Sequence, residues 1–181
     1  GGWFRKEIKS AADLKGLKLR LQPNETHLAT FRALGANPVA MDVKELYSAL
    51  EQRVVDAQEN PYTVIAASRY GEVQKHLSNS GHFFDFIAVV ANKKAFEQMK
   101  PEHQKAVREA MAATVAHQRK LAADTEARLL PELKAKMTYT EIAPAALDEM
   151  KKTALPAVLE GVKKRAGADL VEQVLAEASK R

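Results

Sequence analysis

The chain has 181 residues, 46% of them hydrophobic and 28% charged, which is enough to bury a core of one or two domains and too apolar for a disordered segment. Its net charge of +5 arises from Lys and Arg interspersed with Asp and Glu, and aromatics are only 6%, so neither a basic block nor an aromatic and basic surface points to nucleic acid. Cysteine is absent, which removes disulfides, thiolate metal sites and cysteine nucleophiles and leaves the compartment open. The longest apolar run is too short to span a membrane, and the start at Gly1 lacks the segments of a signal peptide, as expected of a mature or truncated secreted chain and equally of a cytosolic one.

In chain order, Ser10 with Asp13, followed by Gly16, reads as one capped helical turn. The stretch LKLRL is a strand in which Leu17, Leu19 and Leu21 share one face and Lys18 and Arg20 the other. Asn24 then caps a helix with the stripe Leu28, Phe31 and Leu34, ended by Gly35. Pro38 to Met41 is a short strand, Asp42 with Glu45 starts a helix through Leu46 and Leu50, and Val54 to Gln58 is a third strand. Asn60-Pro61 opens a helix expected to run through Val64, Ile65, Val73 and Leu77.

The apolar run Phe83 to Ala91 reads as a long buried strand. Alternating strands and helices argue for an α/β sheet with crossover helices. Pro101 to about Met137 is one long helix, with Val107, Met111 and Val115 stacked and Pro131 expected to kink it. At 1.5 Å per residue it would reach roughly 50 Å, enough to brace two lobes. A short strand, Thr138 to Ile142, and amphipathic helices near 145–165 and 169–180 finish the chain.

Chemistry is sparse. His103 and His117 share a helix face but lie about 21 Å apart, and His27, His76 and His82 fall on separate elements, so no metal site is expected. The nucleophile-elbow, dinucleotide and P-loop glycine patterns are missing, and no cofactor is implied. What remains is polar residues at strand ends, where α/β sheets bind ligands. Arg20 sits late in its strand, and Gln58-Glu59-Asn60 follow another. A guanidinium suits a carboxylate, gripping it with two hydrogen bonds. Arg20 could equally lie on a solvated face or pair with Asp56 or Glu59, and Asn60 could be only the cap of the Pro61 helix.

These residues recur in a known order. DLKGLKLR (Asp13 to Arg20), FRALGANPVAM (Phe31 to Met41), ELYSALEQRVVDAQENP (Glu45 to Pro61) and YGEVQKHLSNSGH (Tyr70 to His82) lie in register, and together the sequence resembles the extracytoplasmic solute-binding proteins of TRAP transporters, the DctP-type family. The resemblance implies a periplasmic-binding-protein-like α/β lobe with a parallel or mixed sheet, a long bracing helix and C-terminal helices. It implies a periplasmic, non-enzymatic subunit that captures a small organic acid and delivers it to membrane permease subunits. Arg20 matches the arginine that holds the ligand carboxylate and Asn60 the asparagine beside it. Val43 stands where an aromatic often packs on the ligand, Ala57 replaces a usual glycine, and Arg5 is a candidate second arginine. The opening segment is similar to a keto-acid branch and QENP to a dicarboxylate and sugar-acid branch.

The resemblance further implies that residues 1–85 are ligand-binding second lobe, that 86–125 cross to a first lobe largely missing here, and that 126–181 return. Self-association would cover the surface so exposed. Two other readings stay open: an α/β enzyme on a small carboxylic acid, with Glu59 or His82 as base or nucleophile, and a fragment without ligand binding of its own.

Overall fold

The computed structural model describes residues 2–4 and 6–180. Six strands, β1 (Gly2–Phe4), β2 (Lys18–Leu21), β3 (Asn37–Ala40), β4 (Ala57–Glu59), β5 (His76–Asn79) and β6 (Thr138–Glu141), form one sheet in the order β3-β2-β4-β1-β5-β6. The β2–β3, β2–β4 and β5–β6 pairs are parallel, while β1 runs antiparallel to both β4 and β5. The sheet is therefore mixed, as expected for an α/β unit with crossovers on its parallel part. Pro38 is tolerated because β3 is an edge strand, where a missing N–H costs no ladder bond on the open side.

The alternation in β2 divides the core in two. Leu19 and Leu21 are fully buried with Ile8, Leu14, Leu28 and Phe31, under helices α2 (Glu25–Ala33) and α7 (Pro144–Ala166). Each leucine so enclosed contributes about 2 kcal/mol by removal from water. On the opposite face Leu46, Leu50, Ile65, Tyr70, Leu77 and Leu133 pack together, from α3 (Val43–Glu51), α4 (Tyr62–Ala67), β5 and the C-terminal part of α6 (Pro101–Lys136). Arg20 points to that second face, level with Val39 and Gln58 on the neighbouring strands.

The starts of the first three helices follow the sequence closely. In the turn α1 (Ala11–Leu14), Asp13 Oδ2 accepts from the Lys9 and Ser10 backbone N–H groups, both at 3.0 Å. Asn24 Oδ1 accepts from Thr26 N at 2.9 Å and His27 N at 3.3 Å, and Asp42 Oδ1 accepts from Lys44 N at 2.8 Å. Each side chain satisfies N–H groups that the first turn leaves unpaired. Gly35 ends α2 with φ +84°, a conformation that glycine adopts without strain.

Two expected elements differ. The helix expected to continue from Pro61 through Leu77 stops at Ala67, a 3-10 turn covers Tyr70–Glu72, and Leu77 lies in β5 instead. Ser68 closes the helix and Arg69 takes φ 56°, which turns the chain out of the right-handed path. The run Phe83 to Ala91 forms no strand, and Phe84, Phe86, Ile87 and Val90 are more than four-fifths exposed. A strand needs a neighbour to take its backbone hydrogen bonds, and among the described residues none lies beside this run.

A short helix, α5 (Lys93–Glu97), capped by Asn92 through Ala95 N at 3.0 Å, precedes α6. The 36 residues of α6 continue through Pro131. From Pro101 to Arg128 only Gln104, Met111 and Thr125 are even half-buried, whereas Leu129 and Leu133 enter the core. The helix thus leaves the sheet with its first seven turns or so uncovered. α7 and α8 (Ala168–Ala178) follow, joined at Gly167. No helix among the described residues is long and apolar enough to cross a membrane.

Candidate functional site

The carboxyl ends of β2 and β4 lie side by side, with Arg20 and Gln58 on one face of the sheet, Glu59 alternating to the other, and Asn60 just beyond the end of β4. Parallel pairing sets Arg20 directly opposite Gln58, so both side chains leave the same face of the sheet. Arg20 is only 3% exposed, and its Nε donates to the Met41 carbonyl at 2.9 Å. Burial lowers the guanidinium's pKa, and the nearby Tyr70, Glu59 and Asp42 act against that; an arginine remains charged under such pressure.

Neither bland reading of Arg20 describes its surroundings. It is not on a solvated face, and among the described residues no carboxylate lies within ion-pair distance of it. Asp56 Oδ2 instead accepts from Lys18 N at 3.1 Å, and Glu59 Oε2 lies 3.2 Å from His82 Nε2. A buried cation with no carboxylate in contact is costly, and a carboxylate arriving at the site would relieve that cost.

Asn60 is not the cap of the following helix, because Pro61 occupies that place and α4 begins at Tyr62. Its Nδ2 donates to Gln58 Oε1 at 2.5 Å. Val43 is the first residue of α3, 48% exposed, one residue after the Asp42 cap. Arg5 lies outside the described residues.

Glu59 and His82 belong to a second feature that sequence reading did not assemble. Ser80 Oγ lies 2.6 Å from His82 Nδ1, and His82 Nε2 lies 3.2 Å from Glu59 Oε2. Burial raises the Glu59 pKa, but the hydrogen bond and charge of His82, with the charge of His27, outweigh it and hold the carboxyl below its ordinary value. Aromatic rings close over the pair: Phe31 and Phe83 meet His82 edge-on, and Phe83 stacks on His27 with centroids 4.0 Å apart. The Ser-His-Glu order looks like a nucleophile relay, yet His82 and Glu59 are only 15% and 13% exposed behind these rings. The arrangement ties the end of β4 to segment 80–83.

A cavity of about 490 Å³ lies between α2, α7 and segment 80–83, with Phe31, His82, Phe83 and Met150 in its wall. Neither Arg20 nor Asn60 lines it, so its volume says nothing about them. Among the described residues no group of three or more His, Asp or Glu side chains could hold a metal ion.

Comparison with known proteins gives this geometry a context. The family model described as DctP, bacterial extracellular solute-binding protein, family 7, matches residues 1–165. The 2,3-diketo-L-gulonate-binding periplasmic protein YiaO of Escherichia coli is 38% identical over 130 residues, which are 72% of this chain and 40% of that protein. The sugar acid binding protein DctPAm of Advenella mimigardefordensis, solved with galactonate, is 32% identical with a TM-score of 0.83, covering 99% of this chain and 58% of that one. A TRAP periplasmic solute-binding protein of Ralstonia eutropha, solved with (S)-2-acetolactate, is 30% identical with a TM-score of 0.87, over 99% of this chain and 59% of the other. The fold is that of these proteins over the shared part, and the chain spans about two fifths of the length of the curated relative and somewhat under three fifths of the solved ones.

Proposed function

Because the chain belongs to the bacterial extracellular solute-binding proteins of family 7, we propose that it is the carboxylate-gripping portion of the periplasmic binding subunit of a TRAP-type transporter. It captures an organic acid without chemistry and delivers it to membrane permease subunits. The observation that carries this reading is Arg20, enclosed at the end of β2 with no carboxylate among the described residues to pair with it. Its guanidinium takes the acid's carboxylate in a bidentate, charge-assisted contact, and Asn60, held by Gln58, orients the same end of the ligand. Val43, exposed at the start of α3, borders the ligand, and Arg5 is a further contact.

The molecules named with the relatives, diketogulonate, galactonate and acetolactate, favour acids that carry an oxygen on the carbon next to the carboxylate. Residues 1–85 and 126–181 would form the second lobe, and 86–125 would cross to a first lobe. The exposure of Phe84 to Val90 and of the first turns of α6 supports that division, since such apolar surface belongs against a partner. In the chain by itself, a second copy would cover it.

Calorimetric titration and thermal-shift screening of galactonate, acetolactate and succinate test the reading, because a ligand that binds only the folded state raises its stability. Saturable binding of at least one acid, competed by another, is expected. Turnover of any of them would replace the binding reading with the enzymatic one through Glu59 and His82. No binding at millimolar acid by the chain joined to a first lobe would overturn it.

A further inference from the structure

We propose that Gln58 is a positioning residue of the acid site, kept there to hold the Asn60 carboxamide beside Arg20 at a cost to the fold. The inference rests on the binding role just described for Arg20 and Asn60. Gln58 lies on the central strand β4, opposite Arg20, and is 0% exposed. Its Oε1 accepts the Asn60 Nδ2–H at 2.5 Å, while its own Nε2 finds no hydrogen-bond acceptor among the described residues.

That combination separates two roles. A buried amide retained for stability should have both ends paired, because an orphan donor deep in a core is destabilising. An apolar side chain of similar length would fill the same space between the strands without the orphan. What methionine or leucine could not supply is the acceptor for Asn60. That acceptor favours one orientation of the Asn60 carboxamide, and thereby where its donor and acceptor stand relative to the guanidinium. The residue at 58 thus serves geometry two residues away more than it serves the core around it, which is the pattern expected where a local rule is broken for function.

The test uses the full chain with Gln58→Met and Gln58→Glu. Methionine keeps the volume and loses both the acceptor and the orphan donor; glutamate keeps an acceptor oxygen for Asn60. In the unaltered protein, one Asn60 side-chain N–H should exchange with solvent at least tenfold more slowly than that of an exposed asparagine, read by nuclear magnetic resonance. In Gln58→Met that protection should vanish while the melting temperature stays equal or rises, and affinity for galactonate or acetolactate should fall tenfold or more. In Gln58→Glu the Asn60 protection should persist.

Fast exchange at Asn60 in the unaltered protein overturns the proposal, as does a Gln58→Met chain that melts lower or fails to fold, since Gln58 would then be a structural residue. Unchanged acid affinity in Gln58→Met overturns it too. If the unaltered chain binds no acid, the transport reading fails on its own, and the exchange and melting measurements still decide what Gln58 does.

Discussion

Arg20 and Gln58 face each other across parallel strands β2 and β4, on one side of the sheet, with 3% and 0% of their surface exposed. A cation and an amide enclosed side by side in a sheet are expensive to bury. The enclosed pair therefore marks a place where the fold gives up stability.

Replacing Arg20 by alanine is expected to weaken binding of a carboxylate ligand by about 2–5 kcal/mol, because it removes one partner of a desolvated charge pair. Arg20→Lys should recover only part of the loss, since an ammonium cannot make the planar two-point contact. Calorimetry on the variants reads both. Equal affinity in Arg20→Ala and the unaltered protein would remove Arg20 from the site.

Leu19, on the opposite face of the same strand, is fully buried in the cluster under α2 and α7. Leu19→Ala should destabilise the fold by about 2–5 kcal/mol, the transfer cost plus the cavity left behind. Urea unfolding at neutral pH measures it. A loss below about 1 kcal/mol would contradict the enclosed packing.

Glu59 links stability to acid. Its folded pKa is depressed, so its stabilisation is present above the unfolded carboxyl value of about 4.3 and is lost as pH falls through the lower folded value. The urea midpoint should therefore drop as pH falls from above the unfolded carboxyl value through the depressed folded one, and Glu59→Gln should drop less over the same descent. Asp13, held low chiefly by the Lys9 backbone N–H, retains its share in both proteins. Identical pH curves for the two would show that the Glu59–His82 contact does not contribute.

Phe86 and Ile87 are 87% and 89% exposed, outside both core clusters. Phe86→Ser with Ile87→Thr should change stability by no more than about 0.5 kcal/mol, as surface changes do. If the run is covered by a second copy, sedimentation velocity should show less dimer in the double variant. An unchanged dimer fraction would place the contact elsewhere, and a large loss of stability would mean the run packs on its own fold.

The sequence revealed what short-range rules govern. The alternation of LKLRL assigned Leu19 and Leu21 to the core, Asn24 and Asp42 marked helix starts by the chemistry of their side chains, and the ordered blocks from DLKGLKLR to YGEVQKHLSNSGH carried the family. Each of these signals lies within a few residues or in a repeated linear order. The β5 strand was illegible because four residues, HLSN, contain one buried leucine and too little period to distinguish strand from helix. The run Phe83 to Ala91 was legible as apolar and β-prone, but a strand also requires a partner that its own residues do not supply.

By itself, then, the sequence determined the two faces of β2, the helix starts at Ser10, Asn24 and Asp42, and the family. Only the tertiary structure decided that Arg20 is enclosed with no carboxylate in ion-pair contact among the described residues, that Glu59 turns to His82 rather than to Arg20, and that Gln58 holds Asn60. The Arg20 and His82 contacts join residues more than 20 positions apart, Arg20 with Met41 and Glu59 with His82. Their existence depends on the strand order β3-β2-β4-β1, which is set by how the whole chain buries its apolar surface and pairs its backbone.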